Sequence, residues 1–365
     1  MKLCQVLYSG LGGHANVAFS LADEAGSRSD RPHAMVFVGV EPVLSDYVRR
    51  CNDLGAEHLH VRTRQGMALA AWPSVFRALS RQRPEAIVLH SVKLIIPCAL
   101  YARLHRIPLV AVEHQANDLK GRHEWWVSRL LMRHADAVVV LTPTYRAALQ
   151  AGLGRHWRPE KVRTIPNGID ISRLVAPAPD LGRRPCRIGM AARMTSIKRQ
   201  DLLIDALSLL VARDGPGRWQ LSLAGDGDAL TSLREQAGAS GLGDAVEFAG
   251  LLGEDALVDW FSSLDIYAHA SEGETLSTSL LQAMATGLPI VGSDVTGISD
   301  LLEGGVGLCV DQSADAFAQG FDVIAREPDR AATFGRRARE KVSEAYSQSA
   351  MFEAYRDLLE SLCRK

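Results

Sequence analysis

Short apolar runs alternate with amphipathic segments along almost the whole chain, and this alternation constrains the fold more than any other feature. Runs such as Leu3–Tyr8 and Ile266–His269 have the length of buried strands, whereas Ala15–Ala25 has the apolar spacing of a helix. Parallel sheets produce this pattern, because each strand needs a helical crossover before the next parallel strand begins. The sequence therefore predicts an α/β fold.

A Pro-rich stretch interrupts the alternation once, at Leu174–Pro185 (LVAPAPDLGRRP), and we interpret it as a linker. The last predicted helix, Ser349–Cys363, has an apolar stripe that must cover another element, and the first domain is the expected partner. We predict two doubly wound Rossmann-like domains that face a cleft, with the C-terminal helix returning to the first domain. The predicted boundaries are residues 1–172, a linker 173–185, a second domain 186–346 and the returning helix 347–365.

Composition excludes several classes of protein. The 365 residues carry 41 basic and 42 acidic side chains, for a net charge of −1, so nothing indicates a nucleic-acid partner. The six cysteines are scattered without a C-x-x-C pair, which favours reduced thiols over disulfides or a zinc site. Charged residues and prolines break the most apolar stretch, 91–112, so we expect no membrane span. The reduced thiols favour a cytoplasmic protein, with any membrane contact peripheral.

Two loops that follow predicted strands have the chemistry of anion sites. The loop Gly10–His14 places Gly12 and Gly13 before a helix, where backbone amides can approach an anion. Counted from Gly10, the sixth residue is Ala15 rather than glycine, so the segment does not match G-x-G-x-x-G. A tight strand-to-helix turn explains the glycines equally well. In the second half, Arg193 and Lys198 follow a strand and could hold a diphosphate, or could simply be solvated.

The segment Ala270–Gly297 (ASEGETLSTSLLQAMATGLPIVGSDVTG) joins an acidic, hydroxyl-rich loop to a helix. Either Ser277 or Thr278 is a natural N-cap, so amide groups at this helix end are available to a phosphate. Glu274 precedes the cap and can bind hydroxyl groups, while Gln282 shares the face of Thr278 one turn later. A ligand with both phosphate and hydroxyl groups fits, and a nucleotide sugar has both.

The order of these motifs resembles the retaining glycosyltransferases of family 4, which have the GT-B fold. The resemblance covers essentially the whole chain and is strongest from about residue 160 to 300. It rests on the Gly-Gly loop, a strand-end His, and the following segments: Ile165–Asp170 (IPNGID), Ala192-Arg193 with Lys198, Leu223–Gly227 (LAGDG), Phe248–Gly250 (FAG), Glu274–Ala285 and Gly287–Pro289 (GLP).

The resemblance implies a nucleotide-sugar donor, no metal ion, and roles for individual residues. Arg193 and Lys198 match the pair that grips the diphosphate, and Glu274 matches the first Glu of an E-x7-E motif that contacts the donor sugar. Leu276, Ser277 and Thr278 match the loop whose amides meet the distal phosphate. Gly12 and Gly13 match the loop that closes on the donor, and His114 matches the strand-end His beside the reacting sugar. Gln282 replaces the second Glu of the motif, which predicts weaker nucleotide binding because an amide lacks the charge.

The first domain is expected to hold the acceptor, a glycan or a lipid-linked sugar. The segment His123–Arg133 combines Trp125, Trp126 and arginines on a predicted helix, which could touch the inner face of the membrane or could simply pack on the sheet. Asp226-Gly227-Asp228 looks like a D-x-D metal motif, but its glycine and the strand before it favour a turn.

Three functions remain compatible with these residues. A sugar transferase of cell-surface polysaccharide or glycoconjugate assembly accounts for most of them. A nucleotide-sugar 2-epimerase shares the fold but needs further carboxylates around the sugar. A non-catalytic subunit of the same fold is favoured only by Gln282.

Overall fold

The computed structural model describes residues 1–10, 13–27, 33–63, 68–114, 120–174, 180–274 and 276–364. It divides the chain into two compact units, Met1–Gly168 with Gln348–Lys365, and Ile169–Ser347. The division precedes the boundary predicted at residue 172, because Ile169 donates its amide proton to the Tyr346 carbonyl (2.9 Å) and packs in a core cluster of the second unit. Of the predicted linker, residues 175–179 lie outside the described residues.

The first unit contains a parallel sheet of seven strands in the order β3-β2-β1-β4-β5-β6-β7. Its central strands are runs such as AIVL and AVVV that are buried along their whole length, as expected for a sheet covered on both faces. The strands are β1 (Leu3–Tyr8), β2 (Ala34–Gly39), β3 (His58–Arg62), β4 (Ala86–Leu89), β5 (Leu109–Val112), β6 (Ala137–Val140) and β7 (Val162–Thr164).

Seven helices accompany this sheet within the described residues: α1 (Gly13–Ser27), α2 (Ser45–Asp53), α3 (Trp72–Gln82), α4 (Ile95–His105), α5 (Arg122–His134), α6 (Pro143–Leu153) and, from the far end of the chain, α14 (Gln348–Cys363). Helices α3 to α6 cover one face of the sheet, where Cys4 and Val6 point. Helices α1 and α14 cover the opposite face, where Leu3, Val88 and Val110 point. Helix α14 therefore completes the first unit, as its apolar stripe predicts.

The second unit repeats the architecture with a parallel sheet of six strands, in the order β10-β9-β8-β11-β12-β13. The strands are β8 (Cys186–Ala191), β9 (Trp219–Ala224), β10 (Val246–Gly250), β11 (Ile266–His269), β12 (Ile290–Ser293) and β13 (Leu308–Val310). The helices are α7 (Gln200–Asp214), α8 (Leu230–Ala239), α9 (Glu254–Ser262), α10 (Thr278–Thr286), α11 (Ser299–Leu302), α12 (Ala314–Arg326) and α13 (Pro328–Ala345).

Helix α5 divides its two tryptophans between the interior and the surface. Trp125 is half-buried against the core and its ring packs on Gly152, so this side chain takes the packing alternative of the two that the sequence left open. Trp126 is 54% exposed. No described helix combines the length and the apolar composition that crossing a membrane requires.

Candidate active site

The strand order of each sheet decides where a ligand can bind. In the second unit, β8 and β11 are neighbours in the sheet, and the chain leaves them toward opposite sides. A doubly wound sheet opens a crevice at the carboxyl ends of two such strands, because their outgoing loops diverge. The loop after β8 carries Arg193 and Lys198, and the loop after β11 carries Glu274. The fold thus brings the loops of the predicted donor residues to one edge of the sheet.

Lys198 and Glu274 form a direct ion pair across this edge. His269, the last residue of β11, is buried and its Nε2 lies 3.2 Å from the same carboxylate. The Tyr267 hydroxyl lies 3.3 Å from Nδ1 of His269. The carboxylate is therefore held on one side by a cation and on the other by an imidazole that β11 fixes in place.

Glu274 is kept in its charged form by these partners. Burial by itself raises the pKa of this carboxyl group, but the hydrogen bond from His269 and the positive charge of Lys198 outweigh it and lower the pKa below its ordinary value. Only 11% of the Glu274 side chain is exposed. The site thus presents an ionised, oriented carboxylate, a group suited to accept hydrogen bonds from sugar hydroxyls.

Helix α10 begins at the same edge. Ser277 is its N-cap, since its Oγ accepts a hydrogen bond from the Leu280 amide (3.3 Å), and Thr278 is the first helical residue rather than the cap. The amides of Thr278 and Ser279 lie outside the hydrogen-bond pattern of the helix and can meet an anion. Leu276 is half-buried and packs on the core below. Gln282 is half-buried one turn later, and within the described part of the chain its side chain makes no hydrogen bond.

The loop after β8 packs on a tight turn that follows β9. The side chain of Arg193 is exposed, and its carbonyl accepts a hydrogen bond from Gln200 Nε2 (3.2 Å). The segment Asp226–Asp228 passes directly beneath: Gly227 has φ = 155°, and a Cβ there would lie 2.3 Å from the Met194 carbonyl oxygen. The glycine is needed for this close approach, which supports the turn. Among the described residues, no three His, Cys, Asp or Glu side chains are grouped to hold a metal ion.

The predicted residues of the first unit surround its own switch point, between β1 and β4. His114 follows β5 and is half-buried, with its Nε2 2.9 Å from Nδ1 of His90, which follows β4. His14 lies in the first turn of α1, and its ring lies edge-on to His114 with centroids 6.3 Å apart. Gly13 begins α1. Gly12 lies outside the described residues, so its predicted contact with the donor stays a prediction.

Several residues of these two edges escape sequence reasoning. His269 and His90 each end or follow a buried strand, which is a weak signal that a polar residue faces a site. Glu113 also follows a buried strand, but its partners are known only in the folded chain, where it meets Ser128 (2.6 Å), the Tyr145 hydroxyl (2.8 Å) and Lys120 in a buried ion pair. This buried cluster anchors Lys120 beside the end of β5.

Two family models match the chain, one in each half. The model described as "Glycosyltransferase Family 4" matches residues 11–173, and the model described as "Glycosyl transferases group 1" matches residues 185–326. Together they span most of both units, and they meet at the predicted linker.

Curated relatives agree with these models. The chain is 31% identical to the lipopolysaccharide core biosynthesis mannosyltransferase LpsB of Rhizobium meliloti, over 58% of this chain and 59% of LpsB. It is 30% identical to the putative glycosyltransferase EpsF of Bacillus subtilis, over 68% of this chain and 66% of EpsF. The similarity therefore spans just under two thirds of the length of these two relatives.

Solved structures extend the likeness over the whole chain. The Anabaena protein HepE, solved in complex with UDP, superposes with a TM-score of 0.83 at 20% identity and covers 99% of this chain and 100% of its own. Sucrose-phosphate synthase from Thermosynechococcus elongatus gives 0.77 at 18% identity, with both chains fully covered. The predicted architecture of two doubly wound domains is confirmed, and the chain belongs to the family 4, group 1 glycosyltransferases with the GT-B fold.

Proposed function

We propose that this chain is a retaining glycosyltransferase that moves a hexose or a related sugar from a nucleotide-sugar donor to a hydroxyl of a glycan or lipid-linked acceptor. One observation carries the proposal: the ion pair of Lys198 with Glu274, buttressed by His269, at the switch point of the second sheet. In it, a cation of the kind that binds phosphate lies beside a carboxylate of the kind that binds hydroxyl groups. A nucleotide sugar presents both of the groups that these side chains recognise.

In the proposed reaction, the bond between the anomeric carbon and the diphosphate oxygen breaks, and its electron pair stays on that oxygen. The acceptor hydroxyl forms the new bond on the same face of the sugar, and its proton passes to the departing phosphate. Arg193, Lys198 and the amides of Thr278 and Ser279 would stabilise the charge that develops on the phosphate. We propose that these groups, rather than a metal ion, neutralise the leaving group.

A UDP-hexose is the first donor to test, since HepE structures were solved with UDP and with UDP-glucose. Binding this donor requires Lys198 to exchange its contact with Glu274 for the diphosphate, leaving the carboxylate free for hydroxyl groups. His269 keeps that carboxylate oriented during the exchange. Gln282 would meet the ribose through an amide instead of a carboxylate, which predicts modest nucleotide affinity.

We propose a cytoplasmic site of action at the inner face of the membrane, in polysaccharide or glycoconjugate assembly. On α4 and α5 three apolar side chains are exposed, Leu100 (62%), Leu104 (67%) and Trp126 (54%), and the same helices carry exposed arginines such as Arg129. Apolar side chains among arginines suit an anionic lipid surface. Sedimentation with vesicles of anionic lipid tests this contact, which Trp126→Ala should weaken and added salt should reverse; equal binding by both proteins would contradict it.

The donor screen is the decisive experiment. Purified protein is incubated with UDP-, GDP- and ADP-sugars, with and without chelator, while nucleotide release and thermal stabilisation are followed. The matched variants are Glu274→Ala and Glu272→Ala, because Glu272 is an exposed carboxylate two residues earlier in the same loop. Hydrolysis of one donor that is lost only in Glu274→Ala supports the proposal. If folded protein neither hydrolyses nor is stabilised by any of these donors, the proposal is refuted.

The replacement of the second Glu of the motif by Gln282 favours one competing function, a non-catalytic subunit that has lost its nucleotide-binding carboxylate. Gln282→Glu separates the two. If the wild type is inactive and Gln282→Glu is active, with donor affinity raised about tenfold or more, the site has decayed. If the wild type is active and the variant gains little affinity, the pocket is adapted to glutamine. Analysis of the released sugar distinguishes the third candidate, because a 2-epimerase changes the donor sugar without any acceptor.

A further inference from the structure

A line of polar side chains crosses one otherwise apolar face of the first sheet. Gln5, His33 and His90 are 0%, 3% and 6% exposed. By strand alternation they lie on the face where Leu3, Met35 and Val88 pack beneath α1 and α14. Buried polar groups on such a face need hydrogen-bond partners, because each unmet group costs free energy.

These side chains bond one another in a single chain that ends at the candidate site. Gln5 Nε2 lies 3.3 Å from His33 Nδ1, and Gln5 Oε1 lies 2.8 Å from His90 Nε2. His90 Nδ1 lies 2.9 Å from His114 Nε2. The chain of contacts thus runs from the interior of the sheet to the residue that follows β5.

The donor and the acceptor of each hydrogen bond near the site follow from one atom, Oε1 of Gln5. The carbonyl oxygen of Gln5 only accepts, so Nε2 of His90 carries the proton. A neutral imidazole has one N–H, so Nδ1 of His90 is an acceptor and Nε2 of His114 must donate to it. Nδ1 of His114 is then left with a lone pair, and it has no hydrogen-bond partner within the part of the chain that the structure describes.

Both rings are neutral, which this assignment requires. Burial, with the neighbouring His114 and His14, lowers the pKa of His90 well below its ordinary value. Burial, with His14 nearby, lowers the pKa of His114 to about 3. At neutral pH each imidazole therefore holds a single proton, and the hydrogen-bond chain decides which nitrogen carries it.

We propose that Gln5 and His90 are positioning residues that hold His114 in the tautomer protonated at Nε2, so that its Nδ1 accepts a hydrogen bond from the ligand. The group that it receives is then a donor, such as a sugar hydroxyl, and a carboxylate at the same position is disfavoured because two acceptors meet. The identity of the ligand group rests on the proposed glycosyltransferase function; the tautomer does not.

The test reads the protons directly. Protein labelled with ¹⁵N in its histidine rings is studied by long-range ¹H–¹⁵N spectroscopy, with the His114 signals assigned from His114→Asn. We expect His114 to be protonated at Nε2 alone in the wild type. Protonation at Nδ1 alone, or an equal mixture, would overturn the proposal, and this readout requires neither donor nor activity.

Two matched variants test whether Gln5 sets the tautomer. Gln5→Met keeps the length of the side chain but removes the acceptor, and Gln82→Met makes the same change at another buried glutamine, on α3. We expect Gln5→Met to give a mixture of His114 tautomers and to lower kcat/KM for the donor about tenfold, the effect of one hydrogen bond. Gln82→Met should leave both unchanged.

An unchanged His114 tautomer in folded Gln5→Met would refute the role of Gln5. If Gln5→Met does not fold, His90→Asn serves instead, since its amide oxygen keeps an acceptor near the Nδ1 position, whereas His90→Leu does not. We then expect His114 to stay protonated at Nε2 alone in His90→Asn. In His90→Leu we expect a mixture of the two His114 tautomers. The same tautomer in both would overturn the proposal.

Discussion

At the scale of single residues, the charge of Glu274 depends on contacts made in the folded protein. Its pKa is lowered in the folded chain, so ionised Glu274 contributes stability above the unfolded value of 4.5, and this contribution is lost as the pH falls through the lower folded value. The difference in free energy of unfolding between wild type and Glu274→Gln should therefore shrink as the pH falls below about 4.5. Urea titrations at several pH values measure it, and a difference that stays constant would contradict the ion pair.

His114 should produce its own pH dependence. Its pKa falls from 6.5 in the unfolded chain to about 3, so between these values only the unfolded state binds the proton and stability falls as the pH is lowered. The contribution to the slope is at most about 1.4 kcal/mol per pH unit. Denaturant titrations between these pH values should show a shallower slope for His114→Asn than for wild type. A slope for His114→Asn equal to that of the wild type would contradict this account.

Sequence reasoning finds the residues that lie in loops with a distinctive order, and it misses those defined by the fold. Lys198 and Glu274 were predicted as donor residues, and the structure pairs them, which shows their proximity while their roles remain predictions. His269 was missed because its partner is known only once β11 and the following loop are folded. Gln5 lies far from His90 in sequence, and a single buried glutamine carries no pattern that links the two.

At the scale of elements, the N-cap of α10 should affect both folding and binding. Ser313 caps α12 with the same kind of bond, to the Ala316 amide at 3.2 Å, and belongs to neither loop of the switch point. We expect Ser277→Ala and Ser313→Ala each to cost about 1 kcal/mol of unfolding free energy. Only Ser277→Ala should also weaken donor binding in calorimetric titrations. Equal donor affinity in both variants would exclude the start of α10 from the donor site.

The turn after β9 gives a second prediction. Gly225 has φ = 136°, and a Cβ there would lie 2.1 Å from the Ala192 carbonyl oxygen, whereas a Cβ at Gly238 in α8 meets nothing within 4 Å. Gly225→Ala should destabilise the protein by roughly 1–3 kcal/mol from backbone strain alone. Gly238→Ala should stabilise it by roughly 0.5–1 kcal/mol, because alanine favours the helix. Thermal unfolding of both variants checks the opposite signs; destabilisation by both would contradict this account.

Elements with strong periodicity are predicted well, and those with mixed surfaces are not. β1 and β11 match the predicted spans Leu3–Tyr8 and Ile266–His269, because apolar residues dominate both runs. β3 was missed because its sequence HLHVR holds only two apolar residues, as suits an edge strand in which only Val61 is fully buried. β13, with three residues, is too short to show any alternation.

At the scale of the whole molecule, the last helix belongs to the first unit. Leu359 of α14 is 1% exposed in the core that α1 and the first sheet share, and Leu210 of α7 is equally buried in the second unit. Leu359→Ala and Leu210→Ala should each cost about 2–5 kcal/mol. Hydrogen exchange followed by mass spectrometry should locate the loss of protection in β1 and β4 for Leu359→Ala, and in β8 and β9 for Leu210→Ala. Loss confined to α14 in Leu359→Ala would contradict its place in the core.

The return of α14 also sets an order of assembly. A ribosome delivers the chain from its N-terminus, so residues 1–168 emerge first, yet 16 residues of their unit, Gln348–Cys363, are translated only after the whole of Ile169–Ser347. The first unit therefore begins to be synthesised before the second but is completed after it. Until α14 is translated, the apolar face that Met351, Phe352 and Tyr355 will cover stays exposed on the nascent chain. A truncated message or a late proteolytic cut would therefore release a complete second unit tethered to an unfinished first one.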